Sequence, residues 1–343
     1  MPTYNKAEYL RLTLAGFTLQ TYALFELVIV DDGSSDHTKE VIEAFKEVLT
    51  IRVIHQSNSG RSVARNAALD VAQGKIWVFN DDDRIPDPDF IRAHVTRLEQ
   101  TPNALSIGFK KEVITIFDPA MLLLWDQKLR DYVRRNPAFM NIQDESSFSS
   151  LLSVDELQAD FQSSMARRYY QIPVDQHPEV IEEYGMNLEH FAYGWLMCTT
   201  GNLAMVAGDP NTIRFDESFT GWGLEDSDFA FQWCLRGRVT VCTLGAMNYH
   251  QVHRRAVNEY DELRSNMAKF NDKFRHASPD RPHIPPDLLV ALTRYMMGDL
   301  TLLDLNQISI AMSRAPHDSL LKDYLYLARL RAALGGYVEL ELD

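Results

Sequence analysis

The sequence predicts an α/β fold, and three observations carry the prediction. Short apolar runs rich in Val and Ile alternate with helical periodicity, the pattern of strands joined by right-handed crossovers. Two of the runs, Glu26 to Asp31 and Ile76 to Phe79, end abruptly in carboxylates. That is how buried parallel strands deliver acids to the carboxyl edge of a sheet, where ligands bind in such folds. The bulk composition, 45% hydrophobic and 24% charged over 343 residues, is that of a globular protein of one large or two ordinary domains.

The elements follow in order. Met1 to Asn5 reads as a loop. Leu10, Leu14 and Phe17 recur at helical spacing. After the strand ending at Asp31, Ser35 or Asp36 can cap a helix carrying Val41, Ile42 and Phe45. Ile51 to Ile54 is a strand, Ser57 to Gly60 a turn, and Arg61 to Ala72 a helix with Val63, Ala67 and Val71 inward. The strand Ile76–Phe79 and a helix from Asp89 to Glu99 come next, then strands over Ala104–Phe109 and Glu112–Phe117. Ala192 to Val206 predicts strand-turn-strand, Glu225 opens a helix facing Phe229 and Trp233 inward, and Val239 to Leu244 is a strand. Asn258 to Phe274 is an amphipathic, charge-rich helix.

The formal net charge of -14 argues against a general nucleic-acid-binding surface. Three cysteines (Cys198, Cys234, Cys242) form no paired framework, which fits a reducing, cytoplasmic setting. No run of apolar residues is long enough to span a membrane, so a lipid-linked partner would be met from the surface, at the inner membrane face. Neither a Gly-x-Gly-x-x-Gly fingerprint nor a P-loop is present.

Three acidic stretches carry chemistry. Asp81, Asp82 and Asp83 are adjacent and repel one another unless a cation or water takes up the charge. A hard divalent metal shared with phosphates would do so; a solvated acidic turn is the alternative. Arg61 and Arg65, on the intervening segment, could reach phosphate oxygens or be surface charges. In Gly221-Trp222-Gly223-Leu224-Glu225-Asp226-Ser227-Asp228 the glycines allow a tight backbone around Trp222. Acids in a first helical turn are favoured by the helix dipole. Asp216, Glu217, Glu225, Asp226 and Asp228 are nevertheless more than a cap needs, and crowded carboxylates suit a general base.

Pro2-Thr3-Tyr4-Asn5, Val30-Asp31-Asp32-Gly33-Ser34-Ser35-Asp36, Gly60 to Ala68 and Asn80-Asp81-Asp82-Asp83 occur in that order. Together they resemble the nucleotide-sugar half of a family 2 glycosyltransferase. The resemblance implies the GT-A fold, a Rossmann-like, mixed, mainly parallel sheet flanked by helices. It implies that Pro2 and Tyr4 hold a uracil ring, that Asp32 bonds its edge, and that Arg65 lies near the base and diphosphate. Asp81 falls on the first acid of an Asp-x-Asp pair, toward the ribose, and Asp83 on the second, a metal ligand; Asp82 is the solvent-facing spacer. The Gly-Trp-Gly-x-Glu-Asp stretch resembles galactosyl- and N-acetylgalactosaminyltransferases, including bacterial chondroitin-polymerase-like enzymes. By that likeness Asp226 is the catalytic base, Glu225 helps bind a sugar and Trp222 is a stacking platform. His250 matches a further metal ligand, with His253 the second candidate there. Arg254 and Arg255 lie near the diphosphate or are surface charges. The family's apolar first strand is reduced here to Met1, so a start truncated relative to the family is expected.

The reading is thus a metal-dependent, inverting glycosyltransferase with Mn2+ or Mg2+ as cofactor. It moves a hexose or N-acetylhexosamine from a UDP-sugar to a hydroxyl of a carbohydrate or other acceptor in polysaccharide synthesis. A nucleotidyltransferase and a non-catalytic sugar-nucleotide-binding scaffold are the alternatives. Residues 1–277 form the GT-A domain: 1–118 the nucleotide-sugar half, 119–185 a mainly helical insertion, 186–277 the acceptor half. Residues 278–286 form a Pro-rich linker, and 287–343 a helical extension (helices near 288–297, 302–312 and 320–334) able to pack or to mediate self-association.

Overall fold

The computed structural model describes residues 1–118, 148–170, 177–208, 213–253, 258–276 and 284–314. The strands are β1 (Pro2–Thr3), β2 (Leu27–Asp31), β3 (Ile51–His55), β4 (Ile76–Asn80), β5 (Arg84–Pro86), β6 (Ala104–Val113), β7 (Ile116–Phe117), β8 (Ser149–Ser150), β9 (Tyr169–Tyr170), β10 (Asn202–Val206) and β11 (Val239–Gln251). The helices are α1 (Ala7–Phe17), α2 (Thr38–Phe45), α3 (Arg61–Val71), α4 (Phe90–Gln100), α5 (Val154–Ala159), α6 (Phe161–Arg168), α7 (His177–Tyr184), α8 (Glu225–Leu235), α9 (Glu259–Arg275), α10 (Pro286–Met296) and α11 (Leu302–Arg314).

The fold is α/β, and the described residues form two main sheets and a short antiparallel β7–β8 pair. β1, β2 and β3 run parallel, with Pro2 opposite Val30 and Leu27 opposite Ile51. The second sheet has the order β4-β10-β6-β11-β5, with β9 added to β6. β10 is antiparallel to both β4 and β6, and β11 is parallel to β6, so β4, β6 and β11 share one direction. β4 and β11 therefore deliver their C-terminal residues, the acidic turn and His250, to one edge.

Several elements differ from the sequence expectation. Gly194–Met197 is a 3₁₀ turn, not the first arm of a strand pair, because its residues are buried all round and carry no period-two alternation. The two strands expected over 104–117 are one long β6 followed by the short β7. β11 runs on past Leu244 through an irregularity between Cys242 and Met247 and reaches Gln251, which places His250 within the strand. Asp36 accepts from the N–H of Thr38 at 3.1 Å and also from Ala7, at the start of α1, at 3.0 Å, so it ties two helix beginnings together.

The main core joins β4, β6, β10 and α8 to the C-terminal helices. Phe215 and Phe229 stack at 4.1 Å between centroids, and Leu289, Leu292, Leu305 and Ile308 belong to the same apolar cluster. The described helices of the extension thus bury apolar faces against their own chain. Pro286 is the first residue of α10, where its missing N–H costs nothing. Leu122–Trp125, Arg130–Arg135, Arg254, Arg255, the helix near 320–334 and residues 338–342 lie outside the described residues.

A buried polar knot locks the second sheet. The Asn202 amide donates to the carbonyls of Phe109 and Ala246, at 2.8 and 3.0 Å. Its Oδ1 pairs with His94 Nε2 at 2.9 Å, and His94 Nδ1 with Ser106 at 2.8 Å. Burial lowers His94 to about 4, so the ring is neutral at physiological pH. Replacing Asn202 by Leu strands these buried groups and should cost about 2–4 kcal/mol. Urea unfolding measures this; a loss below about 1 kcal/mol would show that the knot is dispensable.

Candidate active site

The acidic turn between β4 and β5 is held by a buried asparagine. Asn80 donates to the carbonyls of Asp81 and Arg84, both at 2.8 Å, and accepts from Asn248 of β11 at 2.9 Å. The Gln251 N–H donates to the Asp83 carbonyl at 2.8 Å. The turn is therefore bolted to the end of β11, and Asp83 meets the histidines there. His253 Nε2 is 3.0 Å from Asp83 Oδ2, and His250 Nε2 is 3.9 Å from Oδ1. One ligand atom from each of Asp83, His250 and His253 falls within a 4.8 Å group. Lys6 points its ammonium into the same cluster: it pairs with Asp83, lies 2.9 Å from His253 Nε2 and 4.0 Å from Asp82.

The electrostatics match a cation site. Burial would raise Asp83, but Lys6 and the two histidines outweigh it and hold the carboxyl well below its ordinary range. Burial lowers His250, which keeps its imidazole neutral as a ligand must be. Its other nitrogen, Nδ1, bonds Glu112, the carboxylate–histidine pairing that orients a metal-binding ring. Glu112, paired also with Lys110 at 2.9 Å, is held down to about 2 because the His250 bond and these charges outweigh burial. One carboxylate and two imidazoles suit a first-row divalent ion such as Mn2+ better than Mg2+, which prefers oxygen throughout. The residues fit such an ion if the Lys6 ammonium yields its place.

A second cluster lies beside the first. Arg65 of α3 is buried, against the surface-charge alternative. Its Nη1 is 3.2 Å from Glu225 Oε1 and 3.4 Å from Asp226 Oδ1, and its Nη2 is 3.4 Å from Asp81 Oδ1. Asp81 also faces Arg84 at 3.4 Å; the two guanidiniums outweigh burial and lower its pKa. Asp226 accepts from the Thr200 N–H at 3.1 Å and its hydroxyl at 2.7 Å, and keeps 22% of its side chain exposed. Glu225 is almost wholly enclosed, and burial, then the Asp226 charge, raise its pKa. Ahead of them Leu224 sits in the left-handed region at φ +71° between Gly223 (+104°) and α8. That conformation costs a non-glycine residue about 1 kcal/mol.

The other expected site residues stand as follows. Pro2 opens β1, and Tyr4, the residue after β1, is exposed. Asp32 accepts from Gln56 at 2.7 Å and from the N–H groups of Ser59 and Gly60, each at 2.9 Å. A carboxylate has about four acceptor positions, so one remains for a ligand. Trp222 keeps about a third of its surface exposed. Asp82, expected to face solvent, is buried instead: the turn folds it under Lys6, and burial raises it to about 6. Three of the surplus acids have structural partners. Asp216 and Asp228 both pair with Lys273, at 2.7 and 2.8 Å, and Glu217 accepts from Asn66 at 2.9 Å. Lys6, Thr200 and Glu112 escaped sequence reading, because a lone Lys, Thr or Glu has no spacing signal.

Residues 1–159 match the family model described as glycosyl transferase family 2. The chain is 24% identical over 317 residues to the uncharacterized glycosyltransferase YfnE of Bacillus subtilis, covering 88% of this chain and 76% of that one. It is 27% identical over 264 residues to a chondroitin synthase of Escherichia coli, covering 76% of this chain but only 35% of the synthase. In fold it resembles the crystal structure of S. aureus TarS 1-349 in complex with UDP, with a TM-score of 0.54 at 15% identity, over 100% of this chain and 92% of that one.

Lys273 is the counter-charge of the enclosed Asp228 carboxylate, 2.8 Å away, and burial raises Asp228 despite it. Lys273→Met should therefore destabilise by about 3–5 kcal/mol, and adding Asp228→Asn should recover most of the loss. Urea unfolding of the single and double variants checks this; equal stability of the two would show that the pair is not the cause.

Proposed function

We propose that this chain is a family 2 glycosyltransferase of the GT-A fold, a reading supported by the family match over its first 159 residues and by its relatives, and that it is a metal-dependent, inverting enzyme. It moves a hexose or N-acetylhexosamine from a UDP-sugar to an acceptor hydroxyl in polysaccharide synthesis. The observation that carries the reading is the paired arrangement at one sheet edge. Asp83, His250 and His253 form a metal-fit group, and Arg65 links the neighbouring Asp81 to Glu225 and Asp226.

The roles follow from position. Pro2, Tyr4 and the free acceptor position of Asp32 take the uracil, and Asp81 turns to the ribose. Asp83, His250 and His253 would hold Mn2+, which when bound neutralises charge on the leaving diphosphate. Asp226, partly exposed and aligned by Thr200, takes the proton from the acceptor hydroxyl. The acceptor oxygen bonds to the anomeric carbon from the face opposite UDP, the bond to the β-phosphate oxygen breaks, and its electron pair leaves with UDP. One displacement without an enzyme nucleophile inverts the centre. Glu225 and Trp222 bind sugar. The TarS complex with UDP and the chondroitin synthase relative support a UDP-sugar donor and a glycan acceptor. The thiols of Cys198 and Cys234 are not in a disulfide, which fits the proposed cytoplasmic setting. Among the described residues no helix is long and apolar enough to cross a membrane.

A screen of UDP-sugars with manganese, read by UDP release, tests the reading; pyrophosphate release instead would indicate a nucleotidyltransferase. Asp226→Asn should lower kcat roughly 10²–10⁴-fold and leave UDP affinity unchanged by calorimetry. Retained transfer would remove Asp226 from the base role. Glu112→Gln should weaken Mn2+ binding about 10–100-fold by the same calorimetry, and unaltered binding would contradict its orienting role.

A further inference from the structure

Helix α9 holds none of the residues assigned to donor, metal or base, yet it grips the loop before α8 along its length. That loop is conformationally costly. Gly221, Gly223 and Leu224 all have positive φ, at +75°, +104° and +71°. Such a segment points its N–H and carbonyl groups in irregular directions and has no ladder to satisfy them. α9 supplies the partners. Glu262 Oε2 accepts from the Trp222 N–H at 2.8 Å, and Glu262 Oε1 is held by Asn258 at 2.8 Å. Asn266, fully buried, directs its amide at the carbonyls of Thr220, Trp222 and Gly223, at 3.1, 3.3 and 2.9 Å. Lys269 fixes the other end of that amide at 3.2 Å and donates to the Ser218 carbonyl at 2.5 Å.

The approach is close: a Cβ on Gly221 would push the Glu262 carboxylate aside and one on Gly223 would lie 2.8 Å from Leu263 Cδ1, so the α9 side chains would have to shift, and the positive φ at both positions favours glycine in any case. The loop in turn sets α8. The Leu224 carbonyl accepts from the Asp228 N–H at 2.8 Å, and the Gly223 N–H donates to Glu225 Oε2 at 3.0 Å. The register at which Glu225 and Asp226 leave the loop therefore depends on its shape.

We infer that α9 moulds the acceptor side of the site: Asn266 and Glu262 are positioning residues that fix the Thr220–Leu224 loop, and through it the Trp222 ring and the Glu225–Asp226 carboxylates. The catalytic part of this rests on the proposed roles of Trp222 and Asp226; the conformational part does not.

The test uses the full chain with Asn266→Ala, Glu262→Ala and Glu262→Gln, followed by amide hydrogen exchange and by transfer kinetics with UDP-sugar and manganese. Asn266→Ala and Glu262→Ala should speed exchange over residues 218–226 about tenfold, with β2 to β4 unaffected. They should lower kcat about tenfold or more while UDP affinity holds. Glu262→Gln keeps an acceptor for the Trp222 N–H and should restore both readouts. Equal exchange in Glu262→Ala and Glu262→Gln, or faster exchange with kcat unchanged, overturns the inference. Should Asn266→Ala fail to fold, the Glu262 pair still decides. Should the wild type transfer no sugar, the proposed function fails, and the exchange contrast alone decides whether α9 moulds the loop.

Discussion

The buried guanidinium of Arg65 faces three carboxylates, from Asp81 on one side and Glu225 and Asp226 on the other. Removing it would leave the enclosed Glu225 without its paired counter-charge, which typically costs about 3–5 kcal/mol. A buried pair of this kind adds little net stability over an apolar packing of the same volume. What it provides is alignment, because a planar guanidinium accepts partners only along its fork. The turn after β4 and the start of α8 are far apart in the chain, and Arg65 is where they are tied.

Around that tie, each carboxylate is fixed by a neighbour of another kind. Thr200 gives Asp226 two donors, Arg84 faces Asp81, and Glu225 takes the Gly223 N–H. The Asp83 side is arranged separately, through Asn80, Asn248 and the Gln251 N–H. Two acidic groups thus lie side by side: Asp83 is paired with Lys6 and flanked by His250 and His253, and Glu225 and Asp226 are paired with Arg65.

The α/β class, most elements of the first half and the acidic edge were legible in the sequence because each is local. A β-branched run followed by acids and glycine states its geometry within ten or so residues. The same holds for the Gly-Trp-Gly stretch before α8. What was not legible acts across long separations: Lys6 on Asp83, Thr200 on Asp226, Asn266 on the 220–223 carbonyls. Single residues at such distances leave no periodic trace. Burial misled in both directions. Asp82 falls on the variable middle position of the Asp-x-Asp pair and is therefore expected to face solvent, yet it folds inward. The run 194–197 read as extended because it is apolar, yet buried runs of that length carry no period that separates strand from 3₁₀ turn. The surplus of acids near α8 read as catalytic crowding, and Lys273 and Asn66 account for three of them.

Anomalous scattering tests the proposed division of labour between the two acidic groups directly. Crystals of the full chain grown with UDP and Mn2+ should show a manganese peak bonded by Asp83, His250 and His253, with Lys6 displaced from the cluster. A peak seated instead on Glu225 and Asp226, or none at Asp83, would contradict it.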